Sequence, residues 1–147
     1  MYYFAYGSNM NWTQMAQRCP SARFVSVARL KDHRFAITRQ SRRRLCGTAD
    51  VLPESGSEVW GVVYQLDDCE LGVLDGFEDG YGREKMYVDP IGDGRRPLEA
   101  WVYVAEKETC PPLPNGLYKR LIVEGARHWK LPEAYIEMLE RLEVATE

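Results

Sequence analysis

Runs of apolar residues in the first two thirds of the chain predict β-strands. Residues 58–66 form the clearest run, with β-branched and aromatic side chains and enough apolar character to be buried on both faces of a sheet. This strand is therefore expected to be central. Shorter runs of the same kind lie at 2–6, 24–30, 33–38, 84–89 and 98–105, and residues 91–94 are typical of a hairpin turn. The pattern predicts a sheet of about six strands.

Helical patterns are short at the start of the chain and longer at its end. Asn11 is placed to cap a helix over 12–18, and Pro20 ends it. After a proline-rich step at 111–114, apolar residues recur at helical spacing, and a second helix is predicted over 132–142. Strands that come first and helices that gather late predict a single α+β domain over 1–147, with short helices and a C-terminal helical hairpin.

Length and charge limit the classes of function. The chain has 147 residues, of which 45% are hydrophobic and 28% charged, as expected for one globular domain. Its net charge of -3 removes the usual electrostatic reason to expect a nucleic-acid partner. A small-molecule ligand fits this composition better.

The cysteines and the apolar runs indicate a cytoplasmic protein. The four cysteines are scattered without a CxxC pair and no signal peptide precedes them, which predicts reduced thiols. No apolar run approaches the roughly 18–20 residues that cross a bilayer, so no membrane partner is expected.

Two segments carry candidate chemistry. Tyr6, Gly7, Ser8 and Asn9 follow the first strand, where backbone N–H groups of a glycine loop can converge on an anion. The same residue types also dominate ordinary turns, and four residues alone favour that simpler interpretation. Glu78 lies beside an apolar phenylalanine in a glycine-rich loop, where burial would raise its pKa toward the range of a general base. A solvated surface carboxylate is the commoner alternative.

Other candidate sites have less support. Nine tyrosines are present, and each is able to serve either a pocket or the core. His33 and His128 are far apart and neither lies at metal-ligand spacing from a cysteine, so no metal site is expected. The basic stretch 39–45, with three consecutive arginines, is interpreted as a solvated loop.

Five segments taken together resemble the gamma-glutamylcyclotransferase family. They are Tyr3-Phe4-Ala5-Tyr6-Gly7-Ser8-Asn9, Val59-Trp60-Gly61-Val62-Val63-Tyr64, Leu74-Asp75-Gly76-Phe77-Glu78, Met86-Tyr87-Val88 and Tyr118-Lys119-Arg120. They occur in the order that the family has, and the resemblance spans nearly the whole chain.

The resemblance implies a mixed α+β fold around a small β-barrel with a cavity at one end. It implies that Glu78 is the acid/base and that the loop from Tyr3 to Asn9 binds substrate. It also implies a substrate-binding role for Tyr118 and places Tyr87 and Tyr103 along the pocket. The family's reaction cyclises a γ-glutamyl amino acid or amine to 5-oxoproline, and no cofactor or metal is expected. Relatives are commonly dimers, so a homodimer is possible.

Several alternatives stay open from the sequence alone. The leaving amine is undefined, and removal of a γ-glutamyl protecting group or binding without catalysis would use the same fold. The amides of Gly7 and Ser8 are able to hold either an oxyanion or a carboxylate. Asp79 separates Glu78 from Gly80, where the family often has glycine directly, and it either raises the pKa of Glu78 or points outward.

Overall fold

The computed structural model describes residues 1–92 and 94–146, and these ranges contain five β-strands and four α-helices. The strands are β1 (Tyr2–Ala5), β2 (Arg23–Ser41), β3 (Cys46–Gln65), β4 (Tyr81–Pro90) and β5 (Leu98–Ala105). The helices are α1 (Trp12–Arg18), α2 (Asp68–Asp75), α3 (Gly116–His128) and α4 (Glu133–Glu140), and a 3₁₀ turn covers Ser8–Met10.

The five strands close into a barrel in the order β1-β3-β2-β4-β5. Every neighbouring pair is antiparallel except β1 and β5, which close the barrel in parallel where Tyr3 lies opposite Trp101. In β3, Val59, Val62 and Val63 are completely buried, as the apolar run predicts for a central strand. The predicted α+β class with a small barrel is therefore confirmed.

The barrel has one strand fewer than the predicted six because β2 is continuous. The predicted strands at 24–30 and 33–38 are joined through Asp32, which has a φ of 59° at a shift in the β2–β3 register. A residue in the left-handed region allows a bulge that keeps the strand going. The side chain of Asp32 then accepts a hydrogen bond from the N–H of Gly56 across the hairpin at 3.0 Å.

Helices α1 and α3 pack against the 3₁₀ turn that follows β1. Asn11 caps α1 as predicted, since its side chain accepts from the N–H of Gln14 at 3.3 Å. Gly125 of α3 lies against the backbone of Met10, and a Cβ at this glycine would approach the Met10 carbonyl carbon to 2.4 Å. Only glycine permits this contact, which fixes α3 beside the 3₁₀ turn.

Two remaining expectations concern the loops and membranes. The hairpin turn predicted at 91–94 includes residue 93, which lies outside the described residues. Of the helices in the described ranges, none has both the length and the apolar character that crossing a bilayer requires.

Candidate active site

A cleft at the end of β1 collects side chains from across the chain. It encloses about 310 Å³ including its open mouth. Its walls come from β1, the β1–α1 loop, β3, the α2–β4 loop, β4, β5 and α3, and consist of Tyr3, Tyr6, Gly7, Ser8, Asn9, Ala49, Glu78, Tyr81, Tyr103 and Tyr118.

Asn9 is the buried centre of the polar network in this cleft. Its amide nitrogen donates to the Tyr3 hydroxyl at 3.0 Å and to Oε1 of Glu78 at 3.2 Å. Its amide oxygen accepts from Gln14 at 3.0 Å and from Arg18 at 3.1 Å. All four hydrogen-bonding positions of the amide are used, so the orientation of Asn9 and of the Glu78 carboxyl group is fixed.

Among the described residues, Glu78 is the one that brings a carboxyl group to the cleft wall. Removal from water raises its pKa from the ordinary value of 4.5 to about 7. The nearby charges of Arg18 and Arg44 lower this pKa, whereas Asp75 raises it. Oε2 accepts no hydrogen bond from any described residue, so one carboxyl oxygen is available to a ligand.

Five tyrosines surround this carboxyl group and stay protonated. Burial is the main cause that raises the pKa of each hydroxyl, in Tyr3, Tyr6, Tyr81, Tyr103 and Tyr118. The Tyr118 hydroxyl accepts from the N–H of Ala49 at 2.9 Å, so its own proton points elsewhere. The hydroxyls of Tyr6, Tyr81 and Tyr103 donate to protein oxygens. The cleft is therefore lined by neutral tyrosine hydroxyls around one titratable group, and those of Tyr3 and Tyr118 donate to no described residue.

Tyr103 is held by a carboxylate behind the cleft. Its hydroxyl donates to Oδ1 of Asp75 at 2.7 Å, and the same oxygen lies 2.8 Å from Nε of Arg83. Asp75 is the last residue of α2, so it couples the helix that precedes Glu78 to β5 and β4. The ion pair of Asp75 and Arg83 therefore positions the Tyr103 side chain, and neither charged residue lines the cleft.

The loop after β1 presents backbone donors to the cleft. The N–H groups of Gly7, Ser8 and Asn9 donate no hydrogen bond to any other described residue, whereas the Gly7 carbonyl accepts from Met10 at 3.1 Å. Successive free N–H groups at the start of a helical turn attract negative charge. The ordinary-turn interpretation is thus incomplete, because this turn also faces a polar cleft.

The predicted site residues divide into three groups. Those that line the cleft are Tyr3, Tyr6, Gly7, Ser8, Asn9, Glu78, Tyr103 and Tyr118. Phe4 and Ala5 are instead buried in the core, on the strand that precedes the loop. Tyr87 does not line the cleft, although the resemblance implies that it does. It is 68% exposed, because Val88 beside it points into the core and neighbouring strand residues face opposite sides of the sheet.

Two groups of site residues were missed by the sequence analysis. Tyr81 and Ala49 line the cleft from β4 and β3, and no local pattern distinguishes them from core residues. The Gln14 side chain donates to the Ser8 hydroxyl at 2.9 Å. Its position in the first turn of α1, close to the loop in sequence, was the one signal that could have indicated a role at the site.

The arginine run is not simply a solvated loop. Arg42, Arg43 and Arg44 form the β2–β3 turn and, with Arg18, line an outer pocket that shares Ser8, Glu78, Tyr81 and Tyr118 with the cleft. Arg44 is half-buried and donates to Gln14 at 2.8 Å and to Ser8 at 3.4 Å. Asp79 points outward, with Oδ2 3.7 Å from Nε of Arg42.

Side chains able to bind a metal ion are dispersed across the described ranges. No group of three or more histidine, cysteine, aspartate or glutamate side chains is arranged there to hold an ion.

Comparisons with known proteins identify relatives of this chain. Residues 3–130 match the family model described as gamma-glutamyl cyclotransferase, AIG2-like. The Mus musculus gamma-glutamylcyclotransferase is 32% identical over 148 residues, spanning 96% of this chain and 78% of the mouse protein. The Homo sapiens gamma-glutamylcyclotransferase is 33% identical over 150 residues, with the same shares covered.

A solved structure agrees with the sequence comparisons. A protein titled gamma-glutamyl cyclotransferase superposes with a TM-score of 0.91 and 30% identity, covering 100% of this chain and 90% of its own. The match extends over the barrel, the cleft and both C-terminal helices. The chain belongs to the gamma-glutamyl cyclotransferase, AIG2-like family.

Proposed function

We propose that this protein is a gamma-glutamylcyclotransferase in which Glu78 is the acid/base. The α-amine of a γ-glutamyl compound attacks its own γ-carbonyl, 5-oxoproline forms, and the amine on the other side of the amide bond leaves. The observation that carries the proposal is one partly buried carboxyl group with a free oxygen, fixed by Asn9 in a cleft of neutral tyrosine hydroxyls.

The reaction makes modest demands on the protein because nucleophile and electrophile belong to one molecule. Folding the glutamyl chain into its ring-closing conformation supplies much of the rate enhancement. Two protons must leave the α-nitrogen and two must arrive on the leaving nitrogen. A single carboxyl group that accepts and returns a proton is sufficient for each transfer.

The pKa of Glu78 suits both directions of proton transfer. A carboxyl group with a pKa of about 7 is present in both protonation states near neutral pH. Its carboxylate takes a proton from the α-ammonium group, and its acid form protonates the departing amine. A surface glutamate with an ordinary pKa would be a weaker acid–base catalyst at this pH.

The free N–H groups of Gly7 and Ser8 complete the proposed site. They are donors toward either the oxyanion of the tetrahedral intermediate or the substrate α-carboxylate. The neutral tyrosine hydroxyls of Tyr3, Tyr103 and Tyr118 are the proposed remaining contacts to the γ-glutamyl half. No cofactor takes part in the proposed reaction.

The test is product formation by wild type and Glu78→Gln. Wild type incubated with γ-glutamyl-alanine should release 5-oxoproline, followed by mass spectrometry. Glu78→Gln keeps the hydrogen bond to Asn9 in altered form but cannot shuttle a proton, so kcat/KM should fall about 10²- to 10⁴-fold.

Glu84→Gln is the matched control for this experiment. Glu84 is exposed on β4, so Glu84→Gln makes the same chemical change away from the cleft. The kcat/KM of this variant should equal that of wild type. Circular dichroism and thermal melting establish that both variants fold. Normal turnover by Glu78→Gln would refute the mechanism assigned to Glu78. Tight binding of γ-glutamyl-alanine by wild type without formation of 5-oxoproline would indicate a non-catalytic relative.

We further propose that the chain acts as one domain in the cytoplasm. The four cysteines of the described residues are free thiols, as expected for a reducing compartment. A homodimer stays a prediction from the family resemblance.

A further inference from the structure

The outer pocket beside the cleft carries more positive charge than its neighbours neutralise. Four arginines line it, against the carboxyl groups of Glu78 and Asp79. Only Arg42 is paired, with Asp79. The guanidinium groups of Arg18, Arg43 and Arg44 have no carboxylate within 4.0 Å among the described residues.

These guanidinium groups are held in place rather than dispersed in solvent. Those of Arg18 and Arg43 lie 4.4 Å and 4.5 Å from the centre of the Phe77 ring, and that of Arg44 lies 5.0 Å from the Tyr118 ring. Aromatic faces orient guanidinium planes without using their N–H groups. Arg18 and Arg44 also donate to polar side chains of the site, whereas the Arg43 side chain donates to no described residue. Burial lowers the pKa of Arg18, Glu78 raises it, and repulsion from Arg44 and Arg43 lowers it further.

The position of the pocket defines which half of a substrate meets it. It meets the cleft at Ser8, Glu78, Tyr81 and Tyr118, on the far side of the carboxyl group that would protonate a departing amine. If the γ-glutamyl half fills the cleft, the leaving group extends past Glu78 into the arginines.

We infer that the arginine pocket is a subsite for an acidic leaving group, an amino acid with a side-chain carboxylate in addition to its α-carboxylate. This inference rests on the proposed function. The α-carboxylate of the leaving group pairs with one or two guanidinium groups. The side-chain carboxylate pairs with a further guanidinium group, which would have no carboxylate partner if the leaving group had a neutral side chain. Arg43 is the specificity residue that is easiest to isolate, since it is exposed and contacts the Phe77 ring.

The experiment compares γ-glutamyl-glutamate with γ-glutamyl-glutamine, which have almost the same shape and differ in one charge. For wild type, kcat/KM should be about 10-fold or more higher for the glutamate compound, the size of one charge-assisted hydrogen bond. In Arg43→Gln this ratio should fall toward one. Arg34→Gln is the control: Arg34 lies on β2 outside the pocket and pairs with Glu54 at 3.6 Å, so the ratio should stay as in wild type.

Three outcomes would overturn the inference. One is a wild-type ratio of one or less, with 5-oxoproline formed from both compounds. Another is an equal fall for both compounds in Arg43→Gln, since this would place the arginine on the shared γ-glutamyl half. The third is an unchanged kcat/KM for both compounds in Arg43→Gln.

Failure of the proposed function has a different signature. If neither compound yields 5-oxoproline, the cyclisation is refuted, and calorimetry of both compounds with Glu78→Gln still measures the preference. Tighter binding of the glutamate compound would support the acidic subsite on its own, and equal binding would overturn it.

Discussion

Glu78 lies where opposite charges act on one carboxyl group. Arg18 and Arg44 lower its pKa and Asp75 raises it, against a desolvation effect that dominates. If its carboxylate takes the first proton from the α-ammonium group, kcat/KM rises with pH to a plateau, and the midpoint of this rise lies at about pH 7. The local charges should then move this midpoint in predictable directions.

Arg18→Gln and Asp75→Asn should shift the midpoint in opposite directions. Loss of the Arg18 charge removes a group that stabilises the carboxylate, so the midpoint rises. Loss of the Asp75 charge removes a repulsion, so the midpoint falls, while asparagine still accepts from the Tyr103 hydroxyl. The pH profiles of kcat/KM measure both shifts, and midpoints that move together or not at all would contradict Glu78 as the titrating group.

The same carboxyl group should make stability depend on pH. Its pKa is about 7 in the folded protein and 4.5 as its ordinary value, so the folded state binds the proton more tightly. The stabilising contribution is fully present below pH about 4.5 and is lost as pH rises through about 7. Glu78→Gln removes this dependence, so the variant should gain roughly 2–4 kcal/mol relative to wild type between those limits.

Urea unfolding of wild type and Glu78→Gln at several pH values measures this gain. Glu84→Gln is again the control for loss of a carboxylate, because Glu84 is exposed on β4 and lies outside the cleft. A difference between Glu78→Gln and wild type that does not vary with pH would show that the folded protein does not raise the pKa of Glu78.

At the scale of elements, the contact between α3 and the 3₁₀ turn couples stability to the site. α3 carries Tyr118, and the turn carries Ser8 and Asn9. A methyl group at Gly125 would overlap the Met10 backbone, so Gly125→Ala should destabilise the protein by about 1–3 kcal/mol and lower kcat/KM by displacing the turn. Gly116→Ala in the same helix meets nothing within 4 Å and should retain wild-type stability and activity.

Thermal melting and steady-state kinetics of the two variants test this coupling. If Gly125→Ala is as stable and as active as Gly116→Ala, the close approach does not constrain the turn.

Elements with a strong local signal were predicted well, and elements stabilised by pairing were not. The helix over 12–18 and the strand over 98–105 have the predicted bounds, because capping and alternation are local. The first half of β3 was missed, since Pro53 and Gly56 are poor strand residues. It forms a strand because β2 pairs with it along the whole hairpin, and that pairing is not visible in either segment alone.

For the whole molecule, the site depends on the complete barrel. Asn9, Ala49, Glu78, Tyr103 and Tyr118 are widely separated in the sequence and meet only when β1 closes against β5 and α3 packs beside the turn. The family resemblance predicted most of these residues, whereas local pattern alone favoured an ordinary turn and a surface glutamate. Tyr81 and the arginines escaped prediction because only tertiary structure brings their segments to the cleft.

This dependence predicts that a bound substrate stabilises the whole fold. A ligand that binds only the folded state at 100 times its Kd adds about 2.7 kcal/mol to the free energy of unfolding. For a chain of this length, that corresponds to a rise in Tm of roughly 5–10 °C. Glu78→Gln with γ-glutamyl-alanine is the suitable pair, since the substrate persists during the melt.

The isomer α-glutamyl-alanine is the control for this stabilisation. It has the same atoms and charges but a different amide linkage, so a cleft shaped for the γ-glutamyl chain should give it a much smaller rise in Tm. Equal rises would mean that the cleft recognises charge alone, and the free N–H groups of Gly7 and Ser8 would then select a carboxylate without regard to the chain that carries it. A rise confined to the γ-linked isomer would support recognition of the extended glutamyl chain by the tyrosine-lined cleft, independently of any turnover.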